Sequence, residues 1–504
     1  MSLYRFFEFV PASLAWLTLI IVVLASHYAP TAAAIFIILF DTYWLLKIIY
    51  LSLHLRYSFV KMRQYLKTDW LEKVKELGGW EDIYHLVIFP MYKEPYSVVK
   101  ESFDSLRRMN YPKDKFIVVL SAEERGGEGA KDVLKRIEAE FGQEFFKFMT
   151  TIHPADLPDE IPGKGSHETW AAKEAKRLII DSTGIDYEKI LVSVFDVDTQ
   201  VPPNYFGRLT HAFLTAEHPQ RSSYQPVPLF NNNIYEAPVM ARVVALSATF
   251  WHMMQQARPE RLRTFSSHSM PFKALTEIGW WQTDIVSEDS RIFWQCYLHY
   301  NGDWRVVPLF YPVSMDANVA PTFWRTMANI YRQQRRWGWG AENIPYLLQG
   351  FVKNKAIPFG KKLYWSFHET EGFHSWATNS LIIFALGWLP IFLGGEIFNE
   401  TILSFSLPKI TRTIMTLSMV GIASSAILGL ILLPPKPDWF KRRHYFLYLF
   451  QWALIPVSLI VFGAFPALEA QTRLALGGKF RLGYWFTPKS RGEPISREGA
   501  GKKA

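Results

Sequence analysis

Two blocks of apolar sequence bracket a long stretch of globular composition, and that arrangement limits the possible folds more than any single motif. Val10 to Tyr28 is nineteen residues without Asp, Glu, Lys or Arg, close to the ~20 that a helix needs to cross the hydrocarbon core of a bilayer. A second apolar run, Thr31 to Leu55, follows almost at once, so the two are predicted to form a hairpin. Three more runs lie near the other end: Phe373 to Gly395, Met415 to Leu433 and Tyr445 to Ala467. The first run lacks the charged leader and small-residue cleavage site of a signal peptide, and reads as a retained span.

Basic residues set the expected orientation. Arg56, Lys61, Arg63 and Lys67 follow the second run, and Lys436, Lys441, Arg442 and Arg443 precede the last one. Both sets belong on the cytoplasmic side, which makes the chain a multi-pass protein of the plasma (inner) membrane with its middle domain in the cytoplasm. Three spans after that domain would put the basic tail outside. Either the last segment, broken by Pro456 and Pro466, is re-entrant, or the tail departs from the rule. Gly421, Ser425 and Gly429 recur every four residues, a spacing that lets helix backbones approach closely. Lys47 lies near the end of its span and can snorkel, whereas Asp41 lies nearer the middle, where it is expected to face the bundle interior. The formal charge of +9 (55 basic, 46 acidic) suits an anionic substrate, nucleic acid or a phospholipid surface, and decides nothing on its own. The lone Cys296 excludes an intramolecular disulfide and sits in the apolar helical pattern "IFWQCYLHY".

From about Asp82 the pattern changes to short apolar strands alternating with helices. "IYHLVIFP", "FIVVLS", "FKFMTTI" and "KILVSVFD" read as buried strands, with helices beginning near Ser97, Gly129 and Ser166. This alternation predicts an α/β domain with a mostly parallel sheet, which would place ligands at the carboxyl ends of its strands. The unusual polar residues fall at those ends: "PMYKEP" after the first strand, "SAEERGGEG" after the second, and "DVDTQVPP" after the fourth. Asp196 and Asp198 in "DVD" can both turn toward one divalent cation once the chain leaves the extended conformation; Mg²⁺ or Mn²⁺ suits carboxylate and phosphate oxygens. The segment "IPGKGSHETWAAK" lacks the first glycine of a P-loop, but leaves Lys164 in a loop entering a helix, suited to gripping a phosphate. Glu288 and Asp289 open another helix, where carboxylates also serve as simple dipole partners. The histidines of "HETEGFH" are six apart rather than four, which excludes HExxH zinc-peptidase chemistry.

Further along, Pro321 can start a helix and Gly338 with Gly340 can end it. Within it Gln333, Arg336 and Trp337 share one face, beside an apolar stripe of Phe323, Met327 and Ile330.

Taken in order, "PMYKE", Lys164 in "GKG", "DVD", "SED" and "QQRRW" resemble the motif series of the membrane-integrated family 2 glycosyltransferases, the group of the cellulose, chitin and hyaluronan synthases. The resemblance spans roughly residues 1–468. It implies a GT-A (Rossmann-like) domain inserted between transmembrane helices, and inverting transfer from a nucleotide diphosphate sugar, UDP- or GDP-linked. Under it, Asp196 and Asp198 hold the nucleotide and a Mg²⁺ or Mn²⁺ ion. Lys164 and Arg336 face the diphosphate, with Gln333 beside them. Asp289 is the general base, with Glu288 adjacent, and Trp337 offers its ring to the acceptor. Tyr92, Glu94 and one of Glu123 or Glu124 line the base and ribose pocket. The glutamate pair departs from the Asp pair frequent in the family, and "SSHSMPFKALTEIGWW" differs from the acceptor loop of polymer synthases.

The expected organisation is an N-terminal transmembrane hairpin (1–56), a GT-A domain (57–320), interface helices with the QxxRW motif (321–372), C-terminal transmembrane helices (373–468) and a basic tail (469–504). The activity expected is processive synthesis of a β-linked glycan coupled to export, with the bilayer and a glycan acceptor as partners and no nucleic acid. The alternatives are a single transfer to a lipid acceptor such as a polyprenyl phosphate or diacylglycerol, and a noncatalytic membrane protein or transporter.

Overall fold

The computed structural model describes residues 2–483 and 485–487. The basic segment from Lys489 onward, the last part of the expected basic tail, lies outside the described residues. The chain divides into two compact units: residues 57–329 with 483–504, and residues 1–56 with 330–482.

The first of these units is built on a seven-stranded sheet: β1 (Tyr84–Met91), β2 (Phe116–Glu123), β3 (Lys147–His153), β4 (Ile190–Val194), β5 (Ser222–Phe230), β6 (Ser269–Pro271) and β7 (Arg305–Met315). The spatial order is β3-β2-β1-β4-β6-β5-β7. Pairings β1 with β2, β1 with β4, β2 with β3 and β5 with β7 are parallel, while β6 runs against both β4 and β5. Six strands thus share one direction, and Met91, Glu123, His153, Val194, Phe230 and Met315 end together. This is the α/β, mostly parallel architecture expected.

The apolar runs form strands because both sheet faces are covered, so no polar alternation is required. Val87, Phe89, Val118, Leu120 and Leu191 turn one face toward Phe103 and Leu106 of the Tyr96–Arg107 helix and Ile137 and Phe141 of the Gly127–Phe141 helix. Each large side chain removed from water contributes about 1.5–3 kcal/mol. The predicted helix starts near Ser97, Gly129 and Ser166 fall within two residues of the observed Tyr96, Gly127 and Lys164. Cys296 is buried in the Glu288–His299 helix.

The second unit is helical. Leu3–Tyr28, Pro30–Tyr65, Ile402–Ile431 and Arg442–Leu476 are each long and apolar enough to cross a membrane, and Phe359–Phe384 with Leu386–Leu393 forms a pair bent by 48° that would count as a fifth crossing if it spans. Phe40 packs on the cluster of Ala15 and Leu19, which makes the first two helices a hairpin as expected. A Cβ on Gly421 would lie 2.6 Å from Ile48 Cγ2, so this glycine is where two helices touch. Asp41 is buried. The Lys47 ammonium pairs with Glu371 at 3.0 Å and lies 4.3 Å from the Trp44 ring centroid.

Directions within this unit bear on the last apolar segment. Leu407 packs with Ala34 and Ile37, and Gly421 meets Ile48, so Ile402–Ile431 runs parallel to Pro30–Tyr65. Ala467 and Leu468 pack with Ala15 and Leu19, while Arg5 donates to the carbonyls of Leu474 and Ala475. The Phe465–Leu476 helix therefore runs antiparallel to Leu3–Tyr28 and in the same sense as Ile402–Ile431. Arg5 and Arg481 both pair with the buried Glu8, tying the end of this helix to the start of the chain.

Candidate functional site

The site is assembled at the carboxyl ends of the parallel strands. After β4 the chain leaves the sheet in a turn closed by Thr199 N donating to Asp196 O at 2.8 Å. Asp198 is fully buried; its Oδ2 accepts from Asp316 N at 2.9 Å, just beyond β7. Asn232 braces the same corner, donating to Asp198 O and Asp316 Oδ1, each at 3.1 Å. Asp196 stays partly exposed and its Oδ1 lies 3.0 Å from Lys164 Nζ.

Lys164 is the hub. It is the first residue of the Lys164–Ala175 helix, and is buried rather than waving in an open loop as expected. The reason is close packing beside it. A Cβ on Gly165 would lie 2.7 Å from Gln282 O and 3.0 Å from Glu288 Cβ, so glycine allows this helix to press against the start of the Glu288–His299 helix. Ile161 N donating to Thr283 O at 3.0 Å and Thr169 Oγ1 donating to Trp281 O at 2.9 Å hold the two segments together. The ammonium of Lys164 meets Asp289 Oδ1 at 3.0 Å, Asp196 Oδ1 at 3.0 Å and Glu168 Oε1 at 3.2 Å. Burial alone would lower its pKa, but Asp196, Asp289, Glu168 and Glu288 outweigh burial and hold it well above the usual lysine range.

Glu168 and His268 were not singled out from sequence. Glu168 follows Lys164 by one helical turn, a spacing usually seen in surface ion pairs. Here it is completely buried, which pushes its carboxyl pKa well up against the opposing pull of Lys164. Oxygens of Glu168, Glu288 and Asp289 all lie within 4.8 Å of one another. His268 is buried with Nδ1 3.0 Å from Phe265 O and 3.8 Å from Asp289 Oδ1; burial lowers its pKa to about 4, so its ring is neutral beside the acids at neutral pH.

The neighbouring strand ends carry the residues expected to line a nucleotide pocket. Glu94 is buried and accepts from Tyr92 N at 2.7 Å, closing the loop after β1. Gly126 permits the loop after β2 to touch this one, because a Cβ there would lie 2.4 Å from Tyr92 O. Glu123 is buried and pairs with Arg125 at 2.8 Å; burial raises its pKa, and Arg125 and His153 counter this. Glu124 instead accepts from Ala155 N at 2.8 Å. Phe486 packs edge-on against Tyr92, ring centroids 5.2 Å apart, so part of the segment expected to be tail belongs to this unit.

The QQRRW segment lies in the Phe323–Gly338 helix, close to the predicted bounds. Gln333, Arg336 and Trp337 fall in the helical unit, where the same helix is pinned by Tyr331 and Arg335 donating to Glu469 at 2.8 and 2.7 Å. A Cβ on Gly338 would sit 3.0 Å from Ala467 Cα, so this helix end packs directly on the Phe465–Leu476 helix.

The family description "Glycosyl transferase family group 2" matches residues 191–469, more than half of the chain. The chain belongs to this family. The protein is therefore an enzyme, a glycosyltransferase, and the noncatalytic alternative falls away. No curated protein matches the sequence. Among solved structures, it is similar to the mannosyltransferase PcManGT from Pyrobaculum calidifontis in complex with GDP-Man and Mn²⁺, at 15% identity, covering 76% of this chain and 99% of that one with a TM-score of 0.40. It is also similar to S. aureus TarS 1-349 in complex with UDP-GlcNAc, at 13% identity, 68% and 90% coverage and a TM-score of 0.36.

Carboxylate oxygens suit a hard divalent cation, and those of Glu168, Glu288 and Asp289 are close enough together to share one at bond lengths of about 2.0–2.6 Å; the sequence-predicted ligands Asp196 and Asp198 are not part of that group, Asp196 being joined to it through Lys164. A lysine ammonium drawn in among four acids shows that the pocket's field favours positive charge.

Proposed function

We propose that this glycosyltransferase transfers a sugar, with inversion, from a UDP- or GDP-sugar to the end of a growing β-linked polysaccharide at the membrane, and passes the product through its own spans. What carries the reading is Lys164, whose ammonium joins Asp196 from the end of β4 to Asp289 from the next motif, bringing donor and acceptor chemistry within one side chain's reach.

In this reading Asp289 accepts the proton of the acceptor hydroxyl as its oxygen attacks the anomeric carbon from the face opposite the diphosphate, a role typically worth ~10²–10⁴ in rate. Glu288 lies next to it. Asp196 and Asp198 would hold Mg²⁺ or Mn²⁺, which when bound supplies charge neutralisation to the leaving diphosphate. Arg336 offers that group a two-pronged guanidinium, with Gln333 on the same helix face, and Trp337 supplies an aromatic surface for the acceptor sugar. Tyr92, Glu94 and Glu123 contact the nucleoside, Glu124 being committed to the backbone of Ala155. The domain division proposed is a membrane hairpin, a cytoplasmic catalytic domain, interface helices with QxxRW, and C-terminal membrane helices in the plasma membrane.

Incubating the purified enzyme with nucleotide sugars and Mn²⁺ and sizing the product tests this. A ladder of lengthening glycan is expected. Products that never exceed one added sugar on a polyprenyl phosphate or diacylglycerol would replace the synthase reading with single transfer to lipid.

A further inference from the structure

The network around Lys164 holds a residue that the reaction above does not use. Glu168 is completely buried, lies 3.2 Å from Lys164 Nζ, and has a carboxylate oxygen within 4.8 Å of oxygens of both Glu288 and Asp289. We propose that Glu168 is a positioning residue that gives the Lys164 ammonium a partner to rest on when a divalent cation displaces it from Asp196, so that Lys164 stands in for the cation in the free enzyme and keeps its pairing to Glu168 once the cation is bound. This rests on the reading of Asp196 as a cation-binding carboxylate.

Three observations carry it. Lys164 Nζ already sits where a cation would be attracted, at 3.0 Å from both Asp196 and Asp289. A metal ion and an ammonium cannot share the same carboxylate oxygens at these distances without severe like-charge repulsion in a partly dry pocket. The lysine must then move, and a buried ammonium needs a buried counter-charge, because leaving it unpaired is strongly destabilising. Glu168 supplies that charge from its own helix, one turn on, so Lys164 can change partners by side-chain rotation alone while Gly165 keeps the backbone pressed against Glu288.

The exchange predicts effects of opposite sign from two members of one ion pair. Mn²⁺ affinity is measured directly on the purified full-length protein, without donor, by electron paramagnetic resonance of the free ion. Lys164→Met removes the competitor and should tighten Mn²⁺ binding on the order of tenfold. Glu168→Gln removes the resting place and should weaken it by a similar factor. The double variant should bind as Lys164→Met does, because Glu168 matters only through Lys164. Thermal melts of each variant show that the fold persists, and Glu168→Asp, a shorter carboxylate, should restore part of the loss. Glu168→Gln binding Mn²⁺ like wild type, or Lys164→Met binding it more weakly, would overturn the proposal. A double variant as weak as Glu168→Gln would overturn it too, making Glu168 itself a ligand. If the wild type binds no Mn²⁺, or Asp196→Asn binds it unchanged, the cation-site reading fails first and this inference with it.

Discussion

Replacing Gly165 with alanine adds one methyl group at the point where two site-bearing segments touch. The new Cβ would lie 2.7 Å from Gln282 O, 3.0 Å from Glu288 Cβ and 3.4 Å from Glu288 Cγ. The first neighbour is backbone and cannot rotate away, so relief requires about half an ångström of relative displacement, and overpacking of this kind costs about 1–3 kcal/mol. The displacement acts directly on chemistry. Lys164 precedes Gly165, and Asp289 follows Glu288, so the 3.0 Å contact joining them spans the strained junction. Misplacement of reacting groups by about 1 Å can cost ~10²-fold in rate, so a half-ångström shift should lower kcat by roughly tenfold while changing donor KM less. The assay is released nucleoside diphosphate under saturating donor, alongside a thermal melt. Gly129→Ala is the matched control, since a Cβ there meets nothing within 4 Å. If Gly165→Ala melts and turns over like Gly129→Ala, the contact does not hold the site together and the reasoning fails.

Acid should destabilise the sheet unit through its buried histidines. Burial lowers the pKa of His85 and His167 to about 3 and of His268 to about 4, below the unfolded value of about 6.5. Between those values the unfolded chain binds protons that the native state refuses, so stability falls as pH drops through 6.5, on the order of 2 kcal/mol for each histidine by pH 5. Melting midpoints should decline steadily from pH 7 to 5, and a flat profile would show that these rings are not buried neutral. Arg336→Lys keeps the charge but loses the two-pronged geometry, and should lower kcat by about tenfold or more; unchanged turnover would remove Arg336 from the diphosphate. Phe465–Leu476 runs in the same sense as Ile402–Ile431, as the re-entrant reading of the last apolar segment requires. In a Cys296→Ala background, cysteines placed at Tyr4 and Lys479 should be labelled from the same side by an impermeant maleimide; labelling from opposite sides would contradict the re-entrant segment.

Much of the sheet was legible because β1 to β4 are continuous apolar runs with polar residues massed at one end. β5 to β7 were not, since "SSYQPVPLF" and "RVVPLFYPVSM" are broken by prolines and β6 is three residues long, paired only through tertiary context. The acidic motifs were readable by type and spacing, yet not their partners. Asp198 reaches the backbone of Asp316, 118 residues away, and no local pattern announces this. The glycines that flank Lys164 predict a loop there. Gly165 is there for close packing instead, which buries the lysine. Glu168 was hidden for the opposite reason, since a Lys and Glu four apart are ordinary on exposed helices.

The central claim is that Asp289 is the base in transfer from a nucleotide sugar. Purified wild type and Asp289→Asn should be compared for donor-dependent release of nucleoside diphosphate and for labelled sugar in product, with donor binding followed separately. The account predicts that the variant binds donor normally but loses ~10²–10⁴ in transfer. Transfer at the wild-type rate by a correctly folded Asp289→Asn would contradict it.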